Sequence, residues 1–217
     1  MSRADAEKWN ARYREGAYAE RDHPSAVLVE WLPEVRRDRG LTGSGPLRAL
    51  DVACGAGRNA RYLAAQGFVV DALDVSGEAL ARAAKLAGDL PVRWLQQDLD
   101  DGVPALWPGP GGEPLGPYHL IVMIRYLNLP LLGALCDRLA PGGYLLCEEH
   151  LLSDADVIGP RGPRFRVRPG ALAATLAAPQ GRLEVVHLRE GLREDPDGRP
   201  VALAQLLGRH PPADEAA

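Results

Sequence analysis

The chain has 217 residues, of which 46% are hydrophobic and 25% charged, the composition of an ordinary globular protein. Its 25 basic and 29 acidic residues give a net charge of −4, which disfavours a dedicated nucleic-acid or anionic-membrane binder, because such proteins normally carry a basic excess. No apolar run approaches the ~18 residues that span a membrane, and the charged N-terminus lacks the apolar segment of a secretory signal, so we expect a cytoplasmic protein without nucleic-acid or membrane partners.

The first 46 residues are predicted to contain two helices. Trp9 and Tyr13 recur at helical spacing, and Gly16 is a suitable helix end. A second, short helix is expected to begin after the N-cap residue Ser25. It should end near Pro33, because proline interrupts the helical hydrogen-bond ladder.

Short hydrophobic strands then alternate with helices. The predicted strands are LRALDVA (47–53), FVVDALDV (68–75), VRWLQQD (92–98), HLIVMIR (119–125) and YLLCEEHL (144–151). Helices are expected over about 58–66, along a face formed by Leu80, Ala83, Ala84 and Ala87, and over 129–140, followed by a turn at 141–143. Residues 102–117 are too rich in proline and glycine for regular structure. The alternation predicts an α/β fold with a parallel sheet covered on both faces.

The end of the chain has a different pattern. RLEVVHLRE (182–190) and VALAQLLGR (201–209) have Asp197-Gly198 between them and no helix, which is typical of an antiparallel hairpin. The domain is therefore predicted to cover residues 47–209, and residues 210–217 are expected to form a disordered tail.

The three cysteines are Cys54, Cys136 and Cys147. The number is odd and the spacing C-x-x-C is absent, so the sequence predicts neither a disulfide framework nor a metal site. Each cysteine lies in an apolar stretch and is expected to be a small buried residue.

A glycine-rich turn, Gly55-Ala56-Gly57, follows the first predicted strand. With Ala60 it satisfies the relaxed dinucleotide-binding pattern, which is a weak signal by itself. A P-loop is excluded because no Gly-Lys-Ser/Thr follows. A turn that merely joins strand to helix would also fit, but ligands of open α/β sheets bind at this carboxyl end of the strands.

Three acidic residues indicate which kind of ligand the glycine turn binds. Asp51 lies four positions before Gly55, where a carboxylate would repel a pyrophosphate but would suit an ammonium or sulfonium group. Asp74 ends the second strand and can accept hydrogen bonds from ribose hydroxyls, and Asp98 with Leu99 can contact an adenine ring. Three strand-end carboxylates suit a cationic adenosyl ligand, so we predict S-adenosylmethionine as the cofactor.

The motifs LDVACGAGRNARYLAAQG, VDALDVS, QQDLDD and APGGYLL resemble the successive motifs of class I S-adenosylmethionine-dependent methyltransferases. The Gly-Arg-Asn form of the first motif is similar to the tellurite-resistance (TehB-like) and thiopurine methyltransferase branch. WNARYREG near the start, IVMIRYLN on the fourth strand and FRVRPGALAATL before the hairpin share that similarity. Together these motifs cover nearly the whole chain.

The resemblance implies a single Rossmann-like, doubly wound domain with a mostly parallel seven-stranded sheet of order 3-2-1-4-5-7-6, in which strand 7 is antiparallel. It also implies that residues 1–46 form N-terminal lid or cap helices over the cofactor, although a core stripe would explain the spacing of Trp9 and Tyr13 equally well. The expected cofactor site comprises Trp9, Tyr13, Asp51, Ala53, Gly55, Gly57, Asn59, Asp74, Val75, Asp98, Leu99 and Ile124.

The methyl acceptor is less visible in the sequence. In the similar family a His-Arg pair and a further arginine of the terminal hairpin lie near the acceptor. Here the arginines are matched by Arg193 and Arg199, whereas Leu192 stands in place of the histidine. This departure disfavours tellurite itself and leaves a small thiol, a chalcogen oxyanion or a similar soft or anionic acceptor. Tyr126 and His150, at the ends of the fourth and fifth strands, are the other candidate catalytic residues, although either could be a packing residue.

The expected function is therefore in-line methyl transfer to a small molecule by a monomer or homodimer. Two alternatives stay open: a nucleotide-cofactor oxidoreductase of the NAD type, suggested by the Gly55-x-Gly57-x-x-Ala60 match, and a non-catalytic module that binds S-adenosylmethionine.

Overall fold

The fold is described from a computed structural model, which covers residues 3–38, 45–99, 115–177 and 183–212. The helices in these residues are α1 (Arg3–Arg14), α2 (Ala26–Arg37), α3 (Arg58–Ala65), α4 (Gly77–Ala87), α5 (Leu129–Leu135) and α6 (Ala171–Ala177). The strands are β1 (Arg48–Val52), β2 (Val69–Asp74), β3 (Val92–Gln96), β4 (Tyr118–Ile124), β5 (Leu139–His150), β6 (Glu184–Glu194) and β7 (Pro200–Arg209).

All seven strands belong to one sheet of order β3-β2-β1-β4-β5-β7-β6. The first five are parallel to their neighbours, whereas β7 pairs antiparallel with both β5 and β6. The predicted doubly wound α/β fold, its strand order and the terminal hairpin are therefore confirmed. Because β1 and β4 are parallel neighbours, their carboxyl ends lie side by side, at the switch point where open α/β sheets bind ligands.

Helices cover both faces of the sheet. On one face α2, α3 and α4 bury apolar side chains such as Leu28, Leu63 and Leu80. On the other face α5 and α6 bury Leu132 and Leu172 against the same strands. The central strands read as nearly continuous hydrophobic runs because both of their faces are covered. All three cysteines are free and buried, as predicted.

Pro33 does not end α2, contrary to the prediction. The helix continues to Arg37 because one more turn buries Val35 completely in the core. The Nε–H of Arg37 also donates to the Pro33 carbonyl at 2.9 Å. Together these contacts offset the hydrogen bond that proline cannot make. Ser25 does hold the N-cap position, but its side chain makes no capping hydrogen bond.

The predicted turn at residues 141–143 is part of β5, which begins at Leu139. The strand passes through this segment with a register irregularity opposite Tyr118–Leu120. A Cβ at Gly143 would lie 2.8 Å from the carbonyl oxygens of Ala140 and Tyr118, so only glycine allows this close approach. The preceding helix is correspondingly shorter than predicted, since α5 ends at Leu135 and a single 3₁₀ turn follows.

The buried face of α4 and the start of the C-terminal tail differ in detail from the predictions. Ala84 is exposed on α4, and Ala79 takes the buried position instead. At the start of the predicted tail, the His210 N–H donates to the Gly143 carbonyl at 2.7 Å. Residues 213–217, and residues 100–114 with most of the proline- and glycine-rich segment, lie outside the described residues. In the described part of the chain, the helices are too short or too polar for a membrane span.

Glu149, on β5, is almost completely buried, and one of its carboxylate oxygens has no hydrogen-bond partner within the described residues. Burial raises the pKa of its carboxyl to about 8, although Arg125 and nearby backbone N–H groups favour the charged form. Because the pKa of Glu149 is higher in the folded than in the unfolded protein, this carboxyl lowers the free energy of unfolding progressively as the pH rises from ~4.5 towards 8.

Glu149→Gln is therefore expected to leave the free energy of unfolding nearly unchanged at pH 5 and to raise it by about 1–2 kcal/mol at pH 9. Chemical denaturation of both proteins across this pH range checks the expectation. Asp51 also titrates in this range, but it is present in both proteins and its contribution cancels in the comparison. If the two proteins differed in stability by the same amount at every pH, ionisation of Glu149 would not destabilise the folded protein.

Candidate active site

The glycine turn between β1 and α3 has a backbone that side chains would disturb. Gly55 and Gly57 both have positive φ, at 55° and 75°. A Cβ at Gly57 would overlap the ring of Trp94 and lie 2.9 Å from the Cβ of Ala83. Ala53 also has a positive φ of 56°, which is rare for a residue other than glycine and is found at strained functional turns.

We call the region between the glycine turn and the carboxyl ends of β1 and β2 the crevice. Asp51, near the end of β1, has an incompletely satisfied carboxylate. It is 2% exposed, and within the described residues its Oδ2 atom has no hydrogen-bond partner. Burial raises the pKa of Asp51 to about 7, while a backbone hydrogen bond from Ala60 and the charge of Arg58 act in the opposite direction. A buried, half-satisfied carboxylate fits a ligand that brings a positive charge with N–H donors, such as an ammonium group.

Asp74 is the second acid of the crevice and also organises the turn. Its two oxygens accept the N–H groups of Gly55 and Ser76, each at 2.8 Å. Each carboxylate oxygen has a further lone pair, so these bonds leave capacity for ribose hydroxyls. Burial raises the pKa of Asp74, and the backbone hydrogen bonds counteract this.

Helix α1 packs across the crevice. The Asn10 side chain accepts hydrogen bonds from the Ser76 hydroxyl at 2.8 Å and from the Glu78 N–H at 3.2 Å, which fixes α1 to the start of α4. The Tyr13 hydroxyl lies directly against Gly55. Burial and the neighbouring charge of Asp74 raise the pKa of Tyr13. This arrangement is compatible with the expected lid, with Trp9 tilted against Tyr13 at a ring distance of 6.4 Å.

The other expected cofactor residues differ in their exposure. Val75, Leu99 and Ile124 are buried, and Leu99 packs in the core beneath α5, whereas Asp98 after β3 is half-buried. The Asn59 side chain accepts the Ser25 N–H at 2.9 Å and thereby fixes the start of α2 against α3.

A second cleft, of about 200 Å³, lies between α2, α3 and the β6–β7 hairpin. We call it the hairpin cleft. Its walls include the first turn of α2, Arg58 at the start of α3, Arg125 after β4, and Arg189 and Arg193 on β6. Arg21 and five acids also line it: Glu30, Glu148, Glu194, Asp195 and Asp197. Arg58 belongs to both sites, because it follows the glycine turn in sequence and interacts electrostatically with Asp51.

A chain of polar contacts forms the floor of the hairpin cleft. Arg125, which has a φ of 63°, donates from Nε to Glu148 at 2.7 Å. The other Glu148 oxygen accepts from the side-chain amide of Gln205 at 2.6 Å. Glu148 and Gln205 lie opposite each other in the β5–β7 ladder, so the sheet register itself brings them together.

Arg58 differs from Arg125 and Arg189 in its counter-charges. Arg125 pairs with Glu148, and Arg189 pairs with Glu30 through two hydrogen bonds of 2.7 and 2.8 Å. Within the described residues Arg58 has no carboxylate at salt-bridge distance, and its one hydrogen bond is a long one, 3.5 Å, to the His23 carbonyl. Burial and then the charge of Arg125 lower the pKa of Arg58.

The four residues expected to act on the acceptor lie in different places. Arg193 lines the hairpin cleft. Arg199 is exposed after the turn and pairs with Asp197 at 3.7 Å. Tyr126 packs against the core on the α5 side of the sheet. His150 receives a hydrogen bond from Arg125 at 2.9 Å, and burial with the nearby arginine charges lowers the pKa of His150 to about 3, so it is neutral at physiological pH.

The sequence analysis missed Arg58, Arg125, Glu148 and Gln205 as site residues. Two signals were present: Arg58 follows the glycine turn directly, and Glu148 interrupts the apolar strand YLLCEEHL. A buried acid in a central strand is rare unless it is paired. Arg125 and Gln205 gave no local signal, because their contacts depend on strand pairing.

Known proteins resemble this chain in sequence and in fold. Residues 49–143 match a family model described as a methyltransferase domain. Among curated proteins, the uncharacterized protein UNK4.09 of Schizosaccharomyces pombe is 26% identical over 214 residues, covering 83% of this chain and 61% of that protein. This chain therefore spans about three fifths of the length of that relative.

Solved structures show the same fold. TehB from Haemophilus influenzae superposes with a TM-score of 0.64 at 20% identity, over 89% of this chain and 65% of that chain. Magnesium protoporphyrin IX methyltransferase (ChlM) from Synechocystis PCC 6803, solved with bound S-adenosylmethionine, gives a TM-score of 0.57 at 14% identity, over 85% of this chain and 78% of that chain.

Proposed function

We propose that the chain is a class I S-adenosylmethionine-dependent methyltransferase and that it transfers the cofactor's methyl group to a small anionic acceptor bound in the hairpin cleft. The observation that carries this proposal is the position of Arg58. It lies between Asp51 and the hairpin cleft, and within the described residues no carboxylate is at salt-bridge distance from its guanidinium.

The cofactor side of the proposal rests on the acids of the crevice. Asp51 would hold the ammonium group of the cofactor, and Asp74 would accept its ribose hydroxyls while keeping the glycine turn closed. Asp98 would face the adenine, and α1 would cover the crevice through Tyr13. When bound, the cofactor supplies an electrophilic methyl group on a sulfonium, and the protein supplies orientation and electrostatics.

The acceptor side rests on charge and position. Methyl transfer is an in-line displacement, so the acceptor must be held at a fixed distance and angle. Arg58 and Arg193 would bind an anionic group or favour the thiolate form of a thiol acceptor. Because His150 is neutral and bonded to Arg125, we propose that it positions this arginine and does not act as a general base.

Thermal unfolding with and without ligands tests the cofactor. A ligand at about 100 times its dissociation constant stabilises a protein by ~2.7 kcal/mol. S-adenosylmethionine and S-adenosylhomocysteine should raise the melting temperature and NADH should not. Stabilisation by NADH alone would favour the oxidoreductase alternative. Binding of S-adenosylmethionine with no methylated product from thiol or oxyanion acceptors would favour a non-catalytic module.

Arg193→Ala is expected to lower kcat/KM for the acceptor about tenfold, or ~1.4 kcal/mol, with the cofactor dissociation constant unchanged. The effect should be modest because Arg193 is exposed at the rim of the cleft, where water screens its charge. Initial rates of S-adenosylhomocysteine release measure it, and Lys85→Ala on the exposed face of α4 is the matched control. Equal rates for Arg193→Ala and the control would remove Arg193 from the acceptor site.

A further inference from the structure

The hairpin cleft contains polar atoms that the protein itself leaves unsatisfied. In the described part of the chain, Ser25 Oγ, Arg189 Nε and Gln205 Oε1 are buried without hydrogen-bond partners, and all three residues line this cleft. Ser25 is 5% and Gln205 6% exposed. Since buried polar atoms in folded proteins are nearly always hydrogen-bonded, three of them around one cleft indicate a polar ligand.

The orientation of the Gln205 side chain is fixed by its neighbours. Both oxygens of the Glu148 carboxylate are hydrogen-bond acceptors, and Arg125 donates to one of them at 2.7 Å. The amide nitrogen of Gln205 must therefore face Glu148, to which it donates at 2.6 Å. The amide oxygen is then the unpartnered atom of a residue that lines the cleft, and this atom can only accept. A group bound against Gln205 must consequently be a hydrogen-bond donor.

Another part of the cleft lining, around Ser25, has the reverse preference. Ser25 precedes the first turn of α2, a 12-residue helix, and Ala26 and Val27 of that turn also line the cleft. The N–H groups of a first turn have no partner within the helix and attract negative charge. The Ser25 hydroxyl is free to donate, since it does not cap the helix, and the guanidinium of Arg58 lies at the same cleft.

We propose that the acceptor has two recognition groups: an anionic group bound by Ser25, the start of α2 and Arg58, and a separate hydroxyl or amino group that donates to Gln205. Gln205 is then a specificity-determining residue, and Glu148 with Arg125 are the residues that position it. This inference rests on the proposed function, because it assigns the chemical class of the acceptor.

Two matched probes test the donor requirement. 3-Mercaptolactate and 3-mercaptopropanoate both have a thiol and a carboxylate, but only the first has a hydroxyl group. Calorimetric titration into the full chain, with and without S-adenosylhomocysteine, should show 3-mercaptolactate binding at least tenfold more tightly to the wild type. A buried acceptor left unpaired by the other probe costs roughly this much. Equal affinities, or no binding of either probe, would overturn the inference.

Single substitutions test the roles of Gln205 and Ser25 separately. Gln205→Met should abolish the preference between the probes, whereas Leu203→Met, a conservative change at another residue lining the cleft, should retain it. Ser25→Ala should weaken both probes about tenfold and retain the preference. A preference that persists in folded Gln205→Met would overturn the inference, and the wild-type comparison of the probes decides the matter if that variant does not fold.

Methyl transfer to the same probes is measured separately, as S-adenosylhomocysteine release from S-adenosylmethionine. Discrimination between the probes without transfer to either would contradict the proposed function and leave the recognition of the donor standing. Transfer to both probes at equal kcat/KM, with equal affinities, would contradict the role of Gln205 and leave the methyltransferase activity standing.

Discussion

Asp51→Asn is expected to weaken binding of S-adenosylmethionine about 100-fold at pH 7.5, a loss of ~2.7 kcal/mol. The substitution keeps the shape of the side chain but removes the charge that would pair with a buried ammonium group, and such charge-assisted bonds are the strong ones. Folding should tolerate the change, because the carboxylate is itself unfavourable in this buried position, as its pKa of about 7 indicates.

The pH dependence of the affinity makes this prediction more specific. Below pH 7 the Asp51 carboxyl of the free protein is protonated and must lose its proton to bind an ammonium. Wild-type affinity should therefore rise as the pH increases towards 7 and then level off, until the ligand's α-amino group loses its proton near pH ~8. Arg58 and Asp74 also act on the charge of Asp51, and both residues are present in Asp51→Asn as in the wild type. Asp51→Asn should show no rise below pH 7.

Isothermal titration across pH 5.5–8 measures both effects, and 5′-methylthioadenosine is the control ligand because it lacks the amino-acid part of the cofactor. Its affinity should be the same for the wild type and for Asp51→Asn. If the affinity for 5′-methylthioadenosine fell by the same factor as that for S-adenosylmethionine, Asp51 would support the crevice structurally and would not bind the ammonium.

Arg58→Ala is expected to lower kcat/KM for the acceptor about 100-fold and to change the affinity for S-adenosylmethionine less than threefold. Truncating one partner of a desolvated charge pair typically costs 2–5 kcal/mol, and an anionic acceptor in the hairpin cleft would lose its buried counter-charge. Arg58→Lys should recover part of the loss, because lysine keeps the charge but not the forked geometry of the guanidinium.

Steady-state rates and calorimetric cofactor binding measured on the same samples separate the two roles available to Arg58. Melting temperatures within a few degrees of the wild type would establish that the variants are folded. A fall in cofactor affinity by the full factor, with acceptor KM and kcat unchanged, would assign Arg58 to the carboxylate of the cofactor and would remove the link between the two sites.

The fold was predictable because its determinants are local in sequence. Each βα unit shows its own change from a hydrophobic run to helical spacing, and Asp197-Gly198 indicates the hairpin without reference to the rest of the chain. The errors occurred where tertiary packing outweighed a local signal. Burial of Val35 extends α2 past Pro33, and pairing with β4 draws Gly142 and Gly143 into β5.

The cofactor crevice and the hairpin cleft differ in how far their residues lie apart in the sequence. Asp51, Gly55 and Gly57 lie within one short motif, so their convergence on one crevice could be predicted from the sequence. The hairpin cleft instead brings together Ser25 and Gln205, which are separated by most of the chain and meet only through the sheet order. Arg199 matches a position near the acceptor in the similar family, but in this structure it is exposed and pairs with Asp197. A local sequence match therefore did not place this residue in the cleft.

The most direct test of the account is transfer of a labelled methyl group. S-adenosylmethionine with a ¹³C methyl is incubated with a panel of small thiol acids and oxyanions, and products are detected by mass spectrometry. The account predicts a labelled product with equimolar S-adenosylhomocysteine, and it predicts that Leu203→Trp, which fills the hairpin cleft, binds S-adenosylhomocysteine but forms no product. Bound cofactor whose label reaches none of the acceptors, or product formed by Leu203→Trp at the wild-type rate, would contradict it.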